Sequence, residues 1–167
     1  MAVDTMNDEA VQALAYGEQF AHAYGQHAMI GGEYILLGVL THIELRDVNL
    51  KLRCPYGFVT SQMVMSRIVL FSRHSDSSDE VDHSECYERI LESARRLSES
   101  AGSGFVGIEH LLHAILIDRE DRVDSLAPGI LEYLELDFEH AVGLTLIRVF
   151  GDSSCDIFTQ MRNGELN

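Results

Sequence analysis

The chain repeats its own helical pattern once, and this repetition limits the folds that it can adopt. Apolar and small residues recur at intervals of three and four in two segments, the second 77 positions after the first (10 to 87 and 24 to 101). Each helix needs another surface against which to bury its stripe, so the pattern predicts a pseudo-symmetric pair. The matching positions are Ala10, Ala13, Leu14, Gly17, Ala21 and Tyr24, then Tyr87, Ile90, Leu91, Ala94, Ser98 and Ala101.

A second pair of predicted helices follows the first pair. The segment IGGEYILLGVL (30–40) aligns with VGIEHLLHAIL (106–116) at an offset of 76 (30 to 106), so the change of one residue falls in the connecting turn. Asn7 and Ser84 precede the first helix of each repeat as predicted N-caps. Less regular helical segments, Val59 to Phe71 and Ile130 to Phe150, end the two repeats.

These segments predict an all-α fold of two pseudo-symmetric repeats with about four helices each. The first repeat occupies residues 1–71, a polar acidic linker 72–83, the second repeat 84–150 and an irregular tail 151–167. We expect Leu14 and Leu91 to lie in the core, where replacement by alanine costs about 2–5 kcal/mol.

Charge and hydropathy limit the classes of partner that the protein can bind. The formal net charge of −15 opposes phosphate backbones and anionic lipid surfaces, so we expect neither nucleic acid nor membrane as a partner. No apolar run reaches the roughly 18 residues of a membrane span, and the first residues do not resemble a secretory signal. Three cysteines without a metal or redox spacing favour reduced thiols. A cytoplasmic protein is expected.

The paired segments MNDEAVQALAYGEQFAHAYG (6–25) with 30–40, and SECYERILESARRLSESAG (84–102) with 106–116, resemble the Clp N-terminal repeat. This repeat stands in tandem before the ATPase modules of ClpA- and ClpC-type unfoldases, and the resemblance is closest to the ClpC branch. It implies a non-enzymatic module that binds substrates, adaptors or the unfoldase itself. The alternative that it implies is a structural accessory or regulatory subunit of the Clp peptidase complex. The sequence contains no G-x-x-x-x-G-K-[ST] loop, so no nucleotide site of that kind is predicted.

Glu33 and Glu109 occupy equivalent positions at the starts of the second helices. A carboxylate there interacts favourably with the helix dipole, by about 0.3–1 kcal/mol, and needs no ligand. The resemblance to the ClpC branch implies instead that the pair recognises arginine or phosphoarginine, which requires accessible carboxylates. The family's threonine before the motif glutamate is replaced by Gly32 and Ile108, so we expect weaker discrimination for the phosphate. Both interpretations stay open.

Other motifs predict no catalytic residue, metal ligand or cofactor site. Gly102, Gly104 and Gly107 match G-x-G-x-x-G, but a helix and not a strand is predicted before them. His110 and His113 lie three apart on a helix without further ligands, and packing is the simpler interpretation. The acidic residues between 76 and 82 lack the spacing of a calcium loop.

Overall fold

The computed structural model describes residues 6–24, 29–71, 82–118 and 126–151. Within these ranges the fold is all-α, as predicted. The helices are α1 (Asp8–Tyr24), α2 (Gly32–Leu45), α3 (Ser61–Phe71), α4 (Glu85–Ala101), α5 (Ile108–Ile117), α6 (Ala127–Tyr133) and α7 (Phe138–Phe150). The strands are β1 (Met29–Ile30), β2 (Arg53–Cys54), β3 (Gly57–Phe58) and β4 (Asp82–His83).

The two most apolar helices, α2 and α5, form the centre of the fold. Every residue of α2 from Gly32 to Leu40 is buried, and so is nearly all of α5. Helices that are apolar on all sides must be covered on all sides. In the structure, α1 and α3 pack on α2, α4 and α7 pack on α5, and α2 and α5 contact each other.

Two glycines let α1 and α2 approach more closely than side chains would permit. A Cβ atom added at Gly38 would lie 2.0 Å from the carbonyl oxygen of Ala13, and one added at Gly17 would lie 2.2 Å from that of Tyr34. The equivalent positions in the second repeat are Ala94 and Ala114. The first repeat is therefore built on a direct backbone contact between its two long helices.

Short segments of the two repeats form backbone hydrogen bonds with each other across a pseudo-twofold axis. The N–H of Asn7, just before α1, donates to the carbonyl of Val106, just before α5, at 2.9 Å. The N–H of Ser84, just before α4, donates to the carbonyl of Ile30, just before α2, at 3.0 Å. These are equivalent bonds in opposite directions, and β4 pairs with β1 beside the second of them. Each repeat thus supplies backbone partners to the other.

In the part of the chain that the structure describes, the first repeat has three helices and the second has four, against about four expected in each. Helix α3 corresponds to α7, since their first residues are 77 apart (61 and 138), but the position of α6 is occupied by the hairpin of β2 and β3. Pro55 and Tyr56 form its turn, and Gly57 follows with a φ of 113°, which favours glycine. Local turn chemistry therefore replaces one helix.

The predicted N-caps are confirmed. The side chain of Asn7 accepts from the N–H of Ala10 at 2.9 Å, and that of Ser84 accepts from the N–H of Tyr87 at 3.2 Å. Thr60 and Asp137 cap α3 and α7 in the same way. Of the predicted linker, residues 72–81 lie outside the described ranges, as does the predicted tail after Gly151.

Candidate functional site

The two predicted site residues occupy the same position on equivalent helices. Glu33 follows the N-cap Gly31 by two residues in α2, and Glu109 follows the N-cap Gly107 by two residues in α5. Neither cap glycine can offer a side-chain acceptor, so the first backbone N–H groups of both helices depend on other partners. The sequence alignment of the two repeats is correct at this point.

The surroundings of Glu33 are those of a structural residue. Its side chain is buried, with 4% of the residue exposed, and its Oε2 accepts from the backbone N–H of Leu126 at 3.0 Å. Leu126 is the N-cap residue of α6. The carboxylate therefore connects the starts of α2 and α6, and the expectation that it is accessible is wrong.

Glu109 differs from Glu33 because about a quarter of its side chain, 24%, is exposed. Its carboxylate lies over Gly107, where an added Cβ would come within 2.6 Å of Oε1. His110 Nδ1 is 3.5 Å from the same oxygen but accepts from the Gly107 N–H at 2.9 Å, so it has no proton to share with Glu109. The carboxylate of Glu109 is thus open to an external donor.

A test of this difference compares Glu33→Ala with Glu109→Ala. The first change leaves the half-buried N–H of Leu126 without the carboxylate acceptor, which should cost about 1–3 kcal/mol of unfolding free energy. The second removes little more than a dipole interaction of about 0.3–1 kcal/mol. Urea unfolding of both variants measures the two costs. Equal losses below 1 kcal/mol would show that the contact between α2 and α6 contributes nothing.

The structure also contains a groove that the sequence did not predict. It lies between α1 and α4, on the surface where the repeats meet, and has a volume of about 360 Å³. Leu91, expected in the core, is buried and lines it, whereas Leu14 is only partly buried. The apolar lining is Met6, Val11, Leu14, Ala15, Tyr87 and Leu91.

Leu14 explains why the groove was missed. The stripe on α1 is wider than the face that α2 covers, and Leu14 and Val11 extend beyond it on the side of α4. The sequence signal for the groove was an apolar stripe wider than one partner helix, but the sequence analysis assigns that whole stripe to the core. Replacement of Leu14 by alanine should therefore cost less than the 2–5 kcal/mol expected for a core leucine.

Three polar side chains border this groove, Glu18 from α1 and His83 and Glu88 from the second repeat. His83 Nε2 lies 3.0 Å from a carboxylate oxygen of Glu18, and His83 Nδ1 lies 3.7 Å from one of Glu88. The imidazole ring stacks on the ring of Tyr87, with centroids 4.1 Å apart and planes 2° from parallel. The apolar groove therefore has an acidic rim.

The histidines of α5 are packing residues. His113 is buried and its Nδ1 lies 2.9 Å from the hydroxyl of Thr145, while His110 Nε2 lies 3.2 Å from the hydroxyl of Ser103. Burial lowers the pKa of both rings, and the neighbouring His110 lowers that of His113 further, to about 4. In the described ranges no three His, Cys, Asp or Glu side chains are placed to hold a metal.

The glycine motif and Cys86 have structural explanations. Gly102 ends α4 in the left-handed conformation, with a φ of 67°, and Gly107 begins α5, so the motif connects two helices. The dinucleotide fingerprint needs a strand before it. The thiol of Cys86 is buried and donates to the Asp118 carboxylate at 3.2 Å, where Arg89 also donates.

Comparison with known proteins identifies the family. The sequence model of the Clp repeat (R) N-terminal domain matches residues 5–128, which is more than half of the chain. The chain belongs to this Clp N-terminal domain family. No curated protein sequence shows a significant match.

Solved Clp N-terminal domains share this fold. The N-terminal domain of the caseinolytic protease associated chaperone ClpD from Arabidopsis thaliana is 18% identical, covers 89% of this chain and 99% of its own, and gives a TM-score of 0.65. The Hsp104 N-terminal domain from Candida albicans is 12% identical, covers 88% and 93%, and also gives 0.65. These likenesses confirm the double-repeat fold but favour no branch of the family. None of the described helices of this Clp N-terminal domain is long and apolar enough to span a membrane.

Proposed function

We propose that this Clp N-terminal domain binds exposed polypeptide segments of substrates or adaptors in the groove between α1 and α4, as part of a Clp unfoldase or protease system. The groove itself is the observation that carries the proposal. Six apolar side chains line about 360 Å³ at the surface, within the range of about 300–1,000 Å³ typical of ligand sites. Burying an apolar segment there gains roughly 25 cal/mol for each Å² removed from water.

A second cavity, formed by described residues of the second repeat, is a weaker candidate for this role. It has a volume of about 340 Å³ and lies within the second repeat, between α5, α6 and α7. Two carboxylates line it, and both have partners: Arg89 makes a bidentate contact with Asp118, at 2.9 and 3.0 Å, and Glu132 is also engaged. The groove between α1 and α4 instead combines apolar walls from both repeats with carboxylates at its rim.

The arginine or phosphoarginine proposal for the helix starts is restricted by the contacts of Glu33. Because Glu33 is buried against α6, we propose such recognition for Glu109 alone. The carboxylate is partly exposed beside a helix N-terminus, where it would accept from a guanidinium. Gly107 and Ile108 supply no hydroxyl for a phosphate, and the proposal therefore favours arginine over its phosphorylated form.

Groove binding is tested with Val11→Asp. Val11 is 38% exposed, so the added charge should not disturb folding but should weaken binding of an apolar peptide about tenfold, because the peptide would desolvate a carboxylate. A fluorescein-labelled decapeptide of alternating leucine and serine, titrated by anisotropy, measures the affinity.

The matched control is Val69→Asp on α3. Val69 is 55% exposed and does not line the groove, so binding should stay at the level of the unmodified protein. Equal weakening by both substitutions would indicate a nonspecific charge effect. No binding by the unmodified protein would contradict the proposal directly.

A further inference from the structure

We propose that Glu18, Tyr87 and Glu88 form a subsite for an arginine side chain of the bound polypeptide, and that the imidazole of His83 occupies this subsite in the unliganded protein. The proposal rests on the groove function above and adds the residue type that the groove selects. It concerns an arginine within the segment bound in the groove and is separate from the recognition proposed for Glu109 at the start of α5.

The position of His83 defines the shape of the subsite. One flat ring lies between two carboxylates, with Glu18 3.0 Å from one nitrogen and Glu88 3.7 Å from the other, and with its face on Tyr87. Glu18 belongs to α1 and Glu88 to α4, so the two acids approach from different repeats. The subsite therefore fits a planar group that carries N–H donors at opposite edges.

A guanidinium meets these requirements better than an imidazole. An imidazole carries one N–H when neutral and at most two when charged, with a single donor at each edge. Arginine is always charged, has five N–H donors in a plane and stacks on aromatic rings. It can donate to Glu18 and Glu88 together while its plane rests on Tyr87, where the ring face attracts cations.

The charges around Tyr87 support a cationic ligand. Burial, together with the negative charges of Glu18 and Glu88 beside it, raises the pKa of Tyr87 well above its usual range. A formal net charge of −15 over the whole chain adds to the attraction. His83, 38% exposed at its side chain, can leave the ring of Tyr87 by rotation about its own bonds.

The pseudo-twofold axis does not create a second copy of this subsite. The residue equivalent to Glu18 in the second repeat is Arg95, which pairs with Glu92 and Glu99. His83 itself corresponds to Met6, which lines the groove as an apolar residue. Arginine therefore has one position along the groove, and this fixes the register of the bound chain.

The experiment uses two fluorescein-labelled decapeptides with the same leucine and serine pattern, one with a central arginine and one with citrulline, which is neutral and of nearly the same shape. Anisotropy titrations at low salt should show about tenfold tighter binding of the arginine peptide, the sum expected for two partly exposed ion pairs. The combined Glu18→Gln and Glu88→Gln substitutions should abolish this preference and leave the affinity for the citrulline peptide unchanged.

Three further variants separate the possible origins of the preference. His83→Ala frees both carboxylates and should increase the preference for arginine. Glu99→Gln removes one charge from the same helix as Glu88, outside the groove, and should change nothing. Glu109→Gln should likewise keep the preference, and its loss there would move arginine recognition to the start of α5 and overturn the subsite.

The outcomes distinguish the subsite from the groove. Equal affinity of the unmodified protein for both peptides, or a preference that survives the double substitution, would overturn the subsite while leaving the groove intact. If neither peptide binds, both the proposed groove function and the proposed subsite are overturned. Circular dichroism of each variant confirms that the helices are retained.

Discussion

Replacing Gly38 by alanine is expected to lower the free energy of unfolding by about 2–4 kcal/mol. The added methyl carbon would lie 2.0 Å from the carbonyl oxygen of Ala13, and the backbone N of Gly17 would be 2.9 Å away. Both neighbours are main-chain atoms, which cannot rotate away as a side chain can. The contact between α1 and α2 must therefore open, and urea unfolding of the variant measures the cost.

Gly129→Ala is the matched control for this substitution. Gly129 also lies within a helix, α6, but an added Cβ would meet no atom within 4 Å. Alanine there should be neutral or stabilise by about 0.5–1 kcal/mol, because it restricts the unfolded chain and favours the helix. A small effect at both positions would mean that the helices of the first repeat separate easily.

Lowering the pH from 7 to 5 is expected to cost about 2 kcal/mol of stability through His113. Burial, together with the neighbouring His110, lowers the pKa of His113 to about 4 in the folded protein, whereas an unfolded histidine titrates near 6.5. The folded state therefore binds fewer protons, so the stability present above about pH 6.5 is lost as the pH falls towards 4. Urea unfolding at several pH values records this loss.

His113→Leu separates this effect from the titration of the carboxylates. Leucine is the residue at the equivalent position 37 of the first repeat, where it is buried in α2. The hydroxyl of Thr145 keeps its bond to the carbonyl of Val142 at 2.9 Å, so the substitution should be tolerated at neutral pH. The variant should lose about 2 kcal/mol less than the unmodified protein between pH 7 and 5. Identical pH profiles would show that His113 does not titrate on unfolding in this range.

The fold could be predicted because it depends on local sequence patterns whose structures are retained in the folded protein. Helix periodicity and the caps at Asn7 and Ser84 involve residues at most four positions apart, so they are readable without tertiary contacts. The hairpin of the first repeat was also local, but its signal lay in Pro55 and Gly57 and not in hydropathy. It was missed because a turn of two residues interrupts the helical pattern too briefly to change its period.

The sequence predicted the positions of the candidate site residues but not their accessibility. The sequence placed Glu33 and Glu109 at equivalent helix starts, because repeat alignment fixes position along a helix. It could not distinguish them, since the N–H that engages Glu33 comes from Leu126, 93 residues away. Position was local, whereas accessibility depended on a distant helix.

The sequence by itself determined the helices that carry the repeat, their caps and the pairing of two repeats, since these follow from spacing along the chain. The family rested on the resemblance to the Clp N-terminal repeat. Only the tertiary structure decided that Leu14 borders a groove and that Glu18 lies beside His83, 65 residues away in sequence. Surfaces that meet across the pseudo-twofold axis come from separate helices. The shape of these surfaces depends on how closely the helices pack, and a local sequence pattern does not predict that distance.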